Sequence, residues 1–267
     1  MSKRFEQKVV LITGAGSGLG RASAIKLASE GAKLSLVDVN KDGLEETRDF
    51  IMYNDTKPEL LLLEADVSNE DSVKKYVKDT LEHFNRLDGF YNNAGIVGKK
   101  SLIGEYDSSD FLKVVDINLN GVFYGLKYVL PVMRNLGKGT VINTASVAGI
   151  RGIVNQPAYV ATKHGVAGLT KNAAIEYAKF GISVNAVAPG PILTRMLQRT
   201  FQEINPTDWE AAVRDHARGI PAQRLGDPEE VANLVAFLLS GEAAFINGAV
   251  IPIDGGQSSN QYAEKEY

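Results

Sequence analysis

The chain has 267 residues, 44% hydrophobic and 23% charged, enough to bury the core of one α/β domain. Its formal net charge of −3 gives no reason to expect binding to nucleic acid or acidic membrane, and no apolar run reaches membrane-spanning length. Cysteine is absent, which excludes disulfides, thiolate nucleophiles and Cys-ligated metals, and the three histidines are too scattered to predict a metal site.

The first residues, Met1 to Gln7, lack the apolar centre of a secretory signal and lead directly into a strand, so a cytoplasmic protein is expected. Val9–Ile12 reads as that strand and about Gly18 to Ser29 as a helix, with Lys33–Val37 and Leu60–Leu63 as further strands. Asp88–Tyr91, Thr140–Thr144, Ile182–Ala188 and Ala249–Ile253 supply four more. Continuous apolar strands alternating with helices imply a parallel sheet covered on both faces, with ligands beyond its carboxyl ends.

The first strand runs into Thr13-Gly14-Ala15-Gly16-Ser17-Gly18-Leu19-Gly20 and then a helix. Glycines let backbone turn tightly against a phosphate, and a helix N-terminus offers free N–H groups. Asp38, ending the second strand, is placed to accept hydrogen bonds from the hydroxyls of an adenosine ribose and to repel an additional 2′-phosphate. Its alternative is to cap the next helix. Asp66-Val67 and Asn92-Asn93-Ala94-Gly95 follow the third and fourth strands, where the first can touch an adenine and the second lets backbone pass beside a cofactor.

A helix from about Ser109 to Asn135 is apolar on more than one side, through residues such as Leu112, Val122, Phe123 and Leu126. Within it stands Asn118, an amide that needs partners if buried. Further on come Ser146 and then Tyr159-Val160-Ala161-Thr162-Lys163, which place a tyrosine and a lysine one helical turn apart on one face. A lysine cation beside a phenol favours the phenolate, lowering its pKa towards useful proton transfer. His164 is turned away from Lys163 and reads as structural. Between Gly190 and Asp227 three prolines and scattered apolar residues predict a substrate lid with short helices, spanning about 191–226.

Thr13-Gly14-x-x-x-Gly18-x-Gly20, Asp66, Asn92-Asn93-Ala94-Gly95, Asn118, Ser146, Tyr159-x-x-x-Lys163 and Pro189-Gly190 stand in the order and spacing of the classical short-chain dehydrogenase/reductase family, which the whole chain closely resembles. Finer segments, among them Gly149-Ile-Arg-Gly-Ile153 and Asp254-Gly-Gly-Gln-Ser258, resemble the levodione reductase branch of that family.

The resemblance implies a single-domain doubly wound (Rossmann) fold over residues 1–267, with a parallel seven-stranded sheet and helices on both faces. It implies NAD held by Gly14, Ser17, Gly18, Leu19, Gly20, Asp38, Val39, Asp66, Val67, Asn93, Ala94, Gly95, Tyr159, Lys163, Pro189, Gly190, Ile192 and Thr194. Tyr159 would exchange the proton, Ser146 would hold the carbonyl oxygen, and Lys163 would bind the nicotinamide ribose and lower the tyrosine pKa. Asn118 would anchor a water in a proton relay. Substrate would meet Ser146, Val147, Ile153, Gln156, Tyr159 and Met196, in a pocket expected to be mainly apolar without Arg or Lys.

The expected activity is NAD(H)-dependent interconversion of a neutral ketone and a secondary alcohol, on a cyclic ketone such as levodione or a vicinal diketone or acetoin-like compound. Alternatives are a sugar, steroid or acyl-chain alcohol, or a non-catalytic NAD-binding sensor. Family members commonly form tetramers, so a homotetramer is expected, with no nucleic-acid, membrane or metal partner.

Overall fold

Seven apolar runs become seven strands of one sheet. The computed structural model describes residues 3–53 and 57–259. Its strands are β1 (Val9–Thr13), β2 (Lys33–Asp38), β3 (Leu60–Glu64), β4 (Gly89–Asn92), β5 (Gly139–Thr144), β6 (Ile182–Pro189) and β7 (Val250–Ile253). They lie in the order β3-β2-β1-β4-β5-β6-β7, and every neighbouring pair is parallel. The winding reverses between β1 and β4, so the crevice beyond their carboxyl ends is the topological switch point.

The helices are α1 (Gly18–Ser29), α2 (Lys41–Tyr53), α3 (Glu70–Phe84), α4 (Ser108–Val115), α5 (Gly121–Leu136), α6 (Pro157–Tyr177), α7 (Arg195–Ile204), α8 (Trp209–Arg218) and α9 (Pro228–Leu239). Strand side chains alternate between two cores. Val9 and Leu11 of β1 join Val73 of α3, Val122 of α5 and Val166 of α6, whereas Val10 and Ile12 join Leu27 of α1, Leu44 of α2 and Val235 of α9. Both faces are therefore covered, as the uninterrupted apolar strands require. No helix among the described residues is long and apolar enough to cross a membrane.

The helix read from Ser109 to Asn135 differs from expectation in its middle. It runs from Ser108 to Leu136, but Asp116–Asn120 is a π turn in which Gly121 N–H bonds back to the carbonyl of Asp116. A π turn inserts one residue into the helical ladder and changes which side chains share a face. Here it turns Asn118 into the protein interior, where it is fully buried.

The excursion after β6 is ordered into α7 and α8, which share a small core of Phe201, Ile220 and Leu225 with Leu197 and Trp209 packed against it. Its two ends are tied together. Gly226 N–H donates to Pro191 O at 3.0 Å and Leu193 N–H donates to Gly226 O at 2.8 Å.

Candidate active site

The glycine turn after β1 is shaped by approaches that only glycine allows. At Gly14, with φ of 67°, a Cβ would stand 2.9 Å from Asn93 Nδ2, and at Gly20 it would stand 2.0 Å from the carbonyl oxygen of Gly14. Gly20 therefore serves the packing of helix on turn and does not line the cavity, unlike the other residues expected to hold a cofactor. Gly16 was not among those residues, yet it meets Asp38 directly: its N–H donates to Oδ2 at 2.9 Å. Asn40 N–H donates to Oδ1 of the same carboxylate, also at 2.9 Å. The side chain that caps α2 is Asn40, which accepts from Gly43 N–H at 3.1 Å. Asp38 is thus free of the capping role that was its alternative. At the start of α1, the Ser17 side chain makes no capping hydrogen bond, so the helix end keeps its donors.

Asn93 stitches the strand ends at the switch point. Its Nδ2 donates to Thr13 O at 3.0 Å, and its Oδ1 accepts from Thr144 Oγ1 at 3.1 Å. These bonds hold the ends of β1, β4 and β5 as one rigid rim. Lys163, buried on α6, reaches the same rim and donates from Nζ to Thr144 O at 2.7 Å.

Ser146 follows β5, its hydroxyl accepting from Ala148 N–H at 3.1 Å. Tyr159 stands on α6 opposite, with the Lys163 Nζ 5.6 Å from its ring centroid. Burial pushes the Tyr159 hydroxyl above its ordinary value, and the hydrogen bond with Ser146 pulls it back in part. Burial also lowers Lys163, from 10.5 to about 8. The expectation that the lysine lowers the tyrosine pKa does not hold in this state. The enclosed site disfavours charge on both groups, and the Lys163 ammonium is directed to the Thr144 carbonyl.

Asn118 does not line the cavity. Its Oδ1 accepts from Ile96 N–H at 2.8 Å and its Nδ2 donates to Ile96 O at 2.7 Å. The side-chain amide is satisfied by the backbone it holds, so Asn118 is a positioning residue. Gly95 fits between it and the lysine: a Cβ there would lie 3.0 Å from Asn118 Oδ1 and 3.5 Å from Lys163 Nζ.

These groups open onto one cavity of about 580 Å³, running from Asp38 and the glycine turn to Ser146, Tyr159 and the segment 191–226. Val147, Ile153 and Gln156 line it as expected; the side chain of Met196 lies outside the described residues. Thr194 caps α7 and its methyl group lies near Gly18, joining the segment to the glycine turn. One expectation is overturned. Lys100, Arg151, Arg195 and His216 also line the cavity, so its wall is not without Arg and Lys. Gly98, with φ of 78°, precedes Lys100; Arg151 and Gln257 arrive on loops after β5 and β7; His216 arrives on α8. Periodicity could not bring these loops together. Burial, and then the Lys100 charge, hold His216 below its ordinary pKa. His164 is exposed and bonds the Val160 carbonyl, as its structural reading required. No group of side chains suited to a metal exists among the described residues.

The family model described as enoyl-(acyl carrier protein) reductase matches residues 14–258. Levodione reductase of Leifsonia aquatica is 52% identical over 256 residues, covering 96% of each chain. Cyclohexanol dehydrogenase of Acinetobacter sp. (strain SE19) is 40% identical over 259 residues, covering 97% of this chain and 98% of the relative. The crystal structure of NAD+-bound xylitol dehydrogenase superposes with a TM-score of 0.89 at 33% identity, covering 94% of this chain and 99% of that one. With the motif residues assembled around one cavity at the switch point of a parallel sheet, these likenesses agree: the chain is an oxidoreductase of the short-chain dehydrogenase/reductase family.

Proposed function

We propose that the protein is an NAD(H)-dependent oxidoreductase that interconverts a neutral cyclic ketone and its secondary alcohol. The observation that carries this reading is that Ser146, Tyr159 and Lys163 line one end of a single cavity, with Lys163 Nζ 5.6 Å from the Tyr159 ring centroid, while the glycine turn and Asp38 line its other end. Relatives named levodione reductase and cyclohexanol dehydrogenase support a six-membered ring as substrate.

The residues present fit a dinucleotide. The turn at Gly14, Gly16 and Gly18 makes a cradle that added Cβ atoms would obstruct or strain, and the α1 N-terminus beside it retains free donors for a pyrophosphate. Asp38 keeps lone pairs beyond those used by Gly16 and Asn40, and would accept from both ribose hydroxyls. Val39, Asp66 and Val67 would flank the adenine. Asn93, Ala94, Gly95, Pro189, Gly190, Ile192 and Thr194 would enclose the nicotinamide half. Bound NAD(H) supplies or accepts the hydride.

The protein handles the proton. In reduction, the Tyr159 hydroxyl donates to the carbonyl oxygen as charge develops there, while the Ser146 hydroxyl donates a second hydrogen bond to the same oxygen. The raised pKa of Tyr159 keeps that donor protonated through neutral pH. Oxidation of the alcohol needs the phenolate and is favoured at higher pH. The reductive optimum is therefore expected on the acid side of the oxidative one. Lys163, still mostly cationic at neutral pH, would hold the nicotinamide ribose. Asn118 holds the Ile96 backbone beside it, and the π turn is the place where a relay water would be anchored.

The test is oxidation of NADH, followed at 340 nm, with a panel of cyclic, linear, sugar and steroid ketones. Cyclohexanone-type ketones should be turned over, and Tyr159→Phe should lower turnover by roughly two to four orders of magnitude with NADH affinity little changed. A Phe variant keeping more than about a tenth of the activity would remove Tyr159 as proton donor.

A further inference from the structure

Arg195 is the first residue of α7 and lines the cavity beside the glycine turn. Thr194, immediately before it, has its methyl group 3.5 Å from where a Gly18 Cβ would lie. The far end of the Arg195 side chain rests on α2, with Nη1 3.4 Å from Glu46 Oε2. The same oxygen already accepts from Arg21 Nη2 at 2.8 Å. Arg21 is the more enclosed of the two: its Nε donates to Thr47 Oγ1 at 2.9 Å, and its Nη2 also donates to the carbonyls of Gly16 and Gly43. One carboxylate oxygen thus serves two guanidinium groups, an enclosed one from α1 and an exposed one from α7.

The two pairings are unequal. Charge-assisted hydrogen bonds run at about 2.7–2.9 Å, so Arg21 holds Glu46 at full strength while Arg195 stands off. The Glu46 carboxyl is held below its ordinary range by Arg21 first and by Arg195 only after it. An exposed ion pair at the longer distance contributes little, so Arg195 can leave Glu46 at small cost. The carboxylates lining the cavity near the glycine turn are Asp38 and Asp66. A pyrophosphate brings further negative charge there, and the turn answers it with neutral N–H groups and the α1 dipole alone. Arg195 supplies the cation, from a side chain that runs between Gly18 and α2.

We propose that Arg195 is a further coenzyme-binding residue, whose guanidinium leaves Glu46 for the pyrophosphate of NAD(H). Glu46 is then the competitor that keeps it beside the glycine turn until the coenzyme arrives. Because Arg195 opens α7, the exchange draws the segment after β6 onto the bound coenzyme. Arginine suits such an exchange, since its planar fork makes the same paired hydrogen bonds with phosphate oxygens as with a carboxylate.

This inference rests on the NAD(H) reading and is tested separately from it, by binding and not by turnover. Dissociation constants for NADH, NADPH, ADP-ribose and adenosine are measured by titration calorimetry on wild type, Arg195→Met, Glu46→Gln and the double variant. Arg195→Met should weaken NADH and ADP-ribose by roughly tenfold, because a charge-assisted hydrogen bond to phosphate is lost. Adenosine, which has no phosphate, should bind as before. Glu46→Gln should act in the opposite direction, tightening NADH by roughly twofold to fivefold as the competitor is removed. That gain should vanish in the double variant, which separates the exchange from a general effect of the Glu46 charge. Arg195→Lys keeps the charge without the fork, so it should fall between wild type and Arg195→Met; it also carries the test if the Met variant does not fold. An unchanged NADH constant in folded Arg195→Met, an equal loss for adenosine, or a Glu46→Gln gain that persists without Arg195 would overturn the role. So would a loss confined to NADPH, which would assign Arg195 to a 2′-phosphate instead. No NADH binding by wild type would overturn the NAD(H) reading and this inference together.

Discussion

Lys163 illustrates how a site residue can work against the fold that holds it. Burial lowers its pKa from 10.5 to about 8, so between those values the unfolded chain binds more protons than the folded one. Stability from this group is then complete above 10.5, rises with pH across that window, and is lost as pH falls through 8. At neutral pH the penalty is about 3 kcal/mol, against about 1–2 kcal/mol recovered through the bond to Thr144 O. Lys163→Met should therefore raise Tm by a few degrees at pH 7 and remove the rise in stability that this lysine contributes between pH 8 and 10.5, while activity is lost. A variant with a lower Tm at pH 7, measured calorimetrically, would show that the lysine stabilises the fold. At the other end of the cavity, Asp38 is the residue we propose to set coenzyme choice. A 2′-phosphate would face its carboxylate, costing on the order of a few kcal/mol, or roughly a hundredfold in preference for NADH over NADPH. Asp38→Ala with Val39→Arg should reverse that preference in kcat/KM at matched ionic strength. A wild type that preferred NADPH would undo the reading of Asp38.

At the level of elements, we propose that the segment after β6 works as a flap. Its ends are pinched together at Pro191 and Gly226, and its own core is a handful of side chains around Phe201 and Ile220. So small a core gives low local stability, which is the condition for opening without unfolding the sheet. Trypsin should cut first between Arg195 and Arg218, and NADH with a cyclic ketone should slow that cleavage. Equal rates with and without ligands would remove the case for closure. The sheet itself was legible in advance because strands buried on both faces are written as unbroken apolar runs, such as Val9–Ile12 and Leu60–Leu63. The π turn at Asp116–Asn120 was not, since one inserted residue leaves the apolar pattern around it intact. Of the site, the glycines and the Tyr159–Lys163 pair could be read from spacing, because the glycine turn directly joins β1 to α1 and the pair sits one turn apart on α6. Arg151, His216 and Gln257 could not: they meet only where separate loops and α8 converge over the cavity. Asn118 could be read as an amide that needs partners if buried, but no periodicity reveals that those partners are both polar groups of the Ile96 backbone.

For the molecule as a whole, we propose a homotetramer. The fold leaves apolar side chains uncovered on the helices that the sequence marks as buried twice. Leu112 on α4, Phe123 on α5 and Ile175 on α6 are 60%, 45% and 81% exposed. Surfaces of this kind are stable in water when another subunit covers them. Native mass spectrometry should give four chains, and Phe123→Asp should shift the population towards smaller species. A wild-type monomer at micromolar concentration would contradict this.

The sheet's open side at β7 carries one more consequence. Ala186 N–H donates to Ala249 O, and Gly190 N–H donates to Ile253 O, so the backbone of the odd-numbered residues 249 to 253 faces β6. The even-numbered residues then point their backbone groups outward, and one of them is Pro252. Proline has no N–H to offer, so the exposed row of donors is interrupted at the point where an incoming strand would need it. A single imino acid thus guards the margin of the sheet against template-directed strand addition, the first step towards fibrillar aggregates.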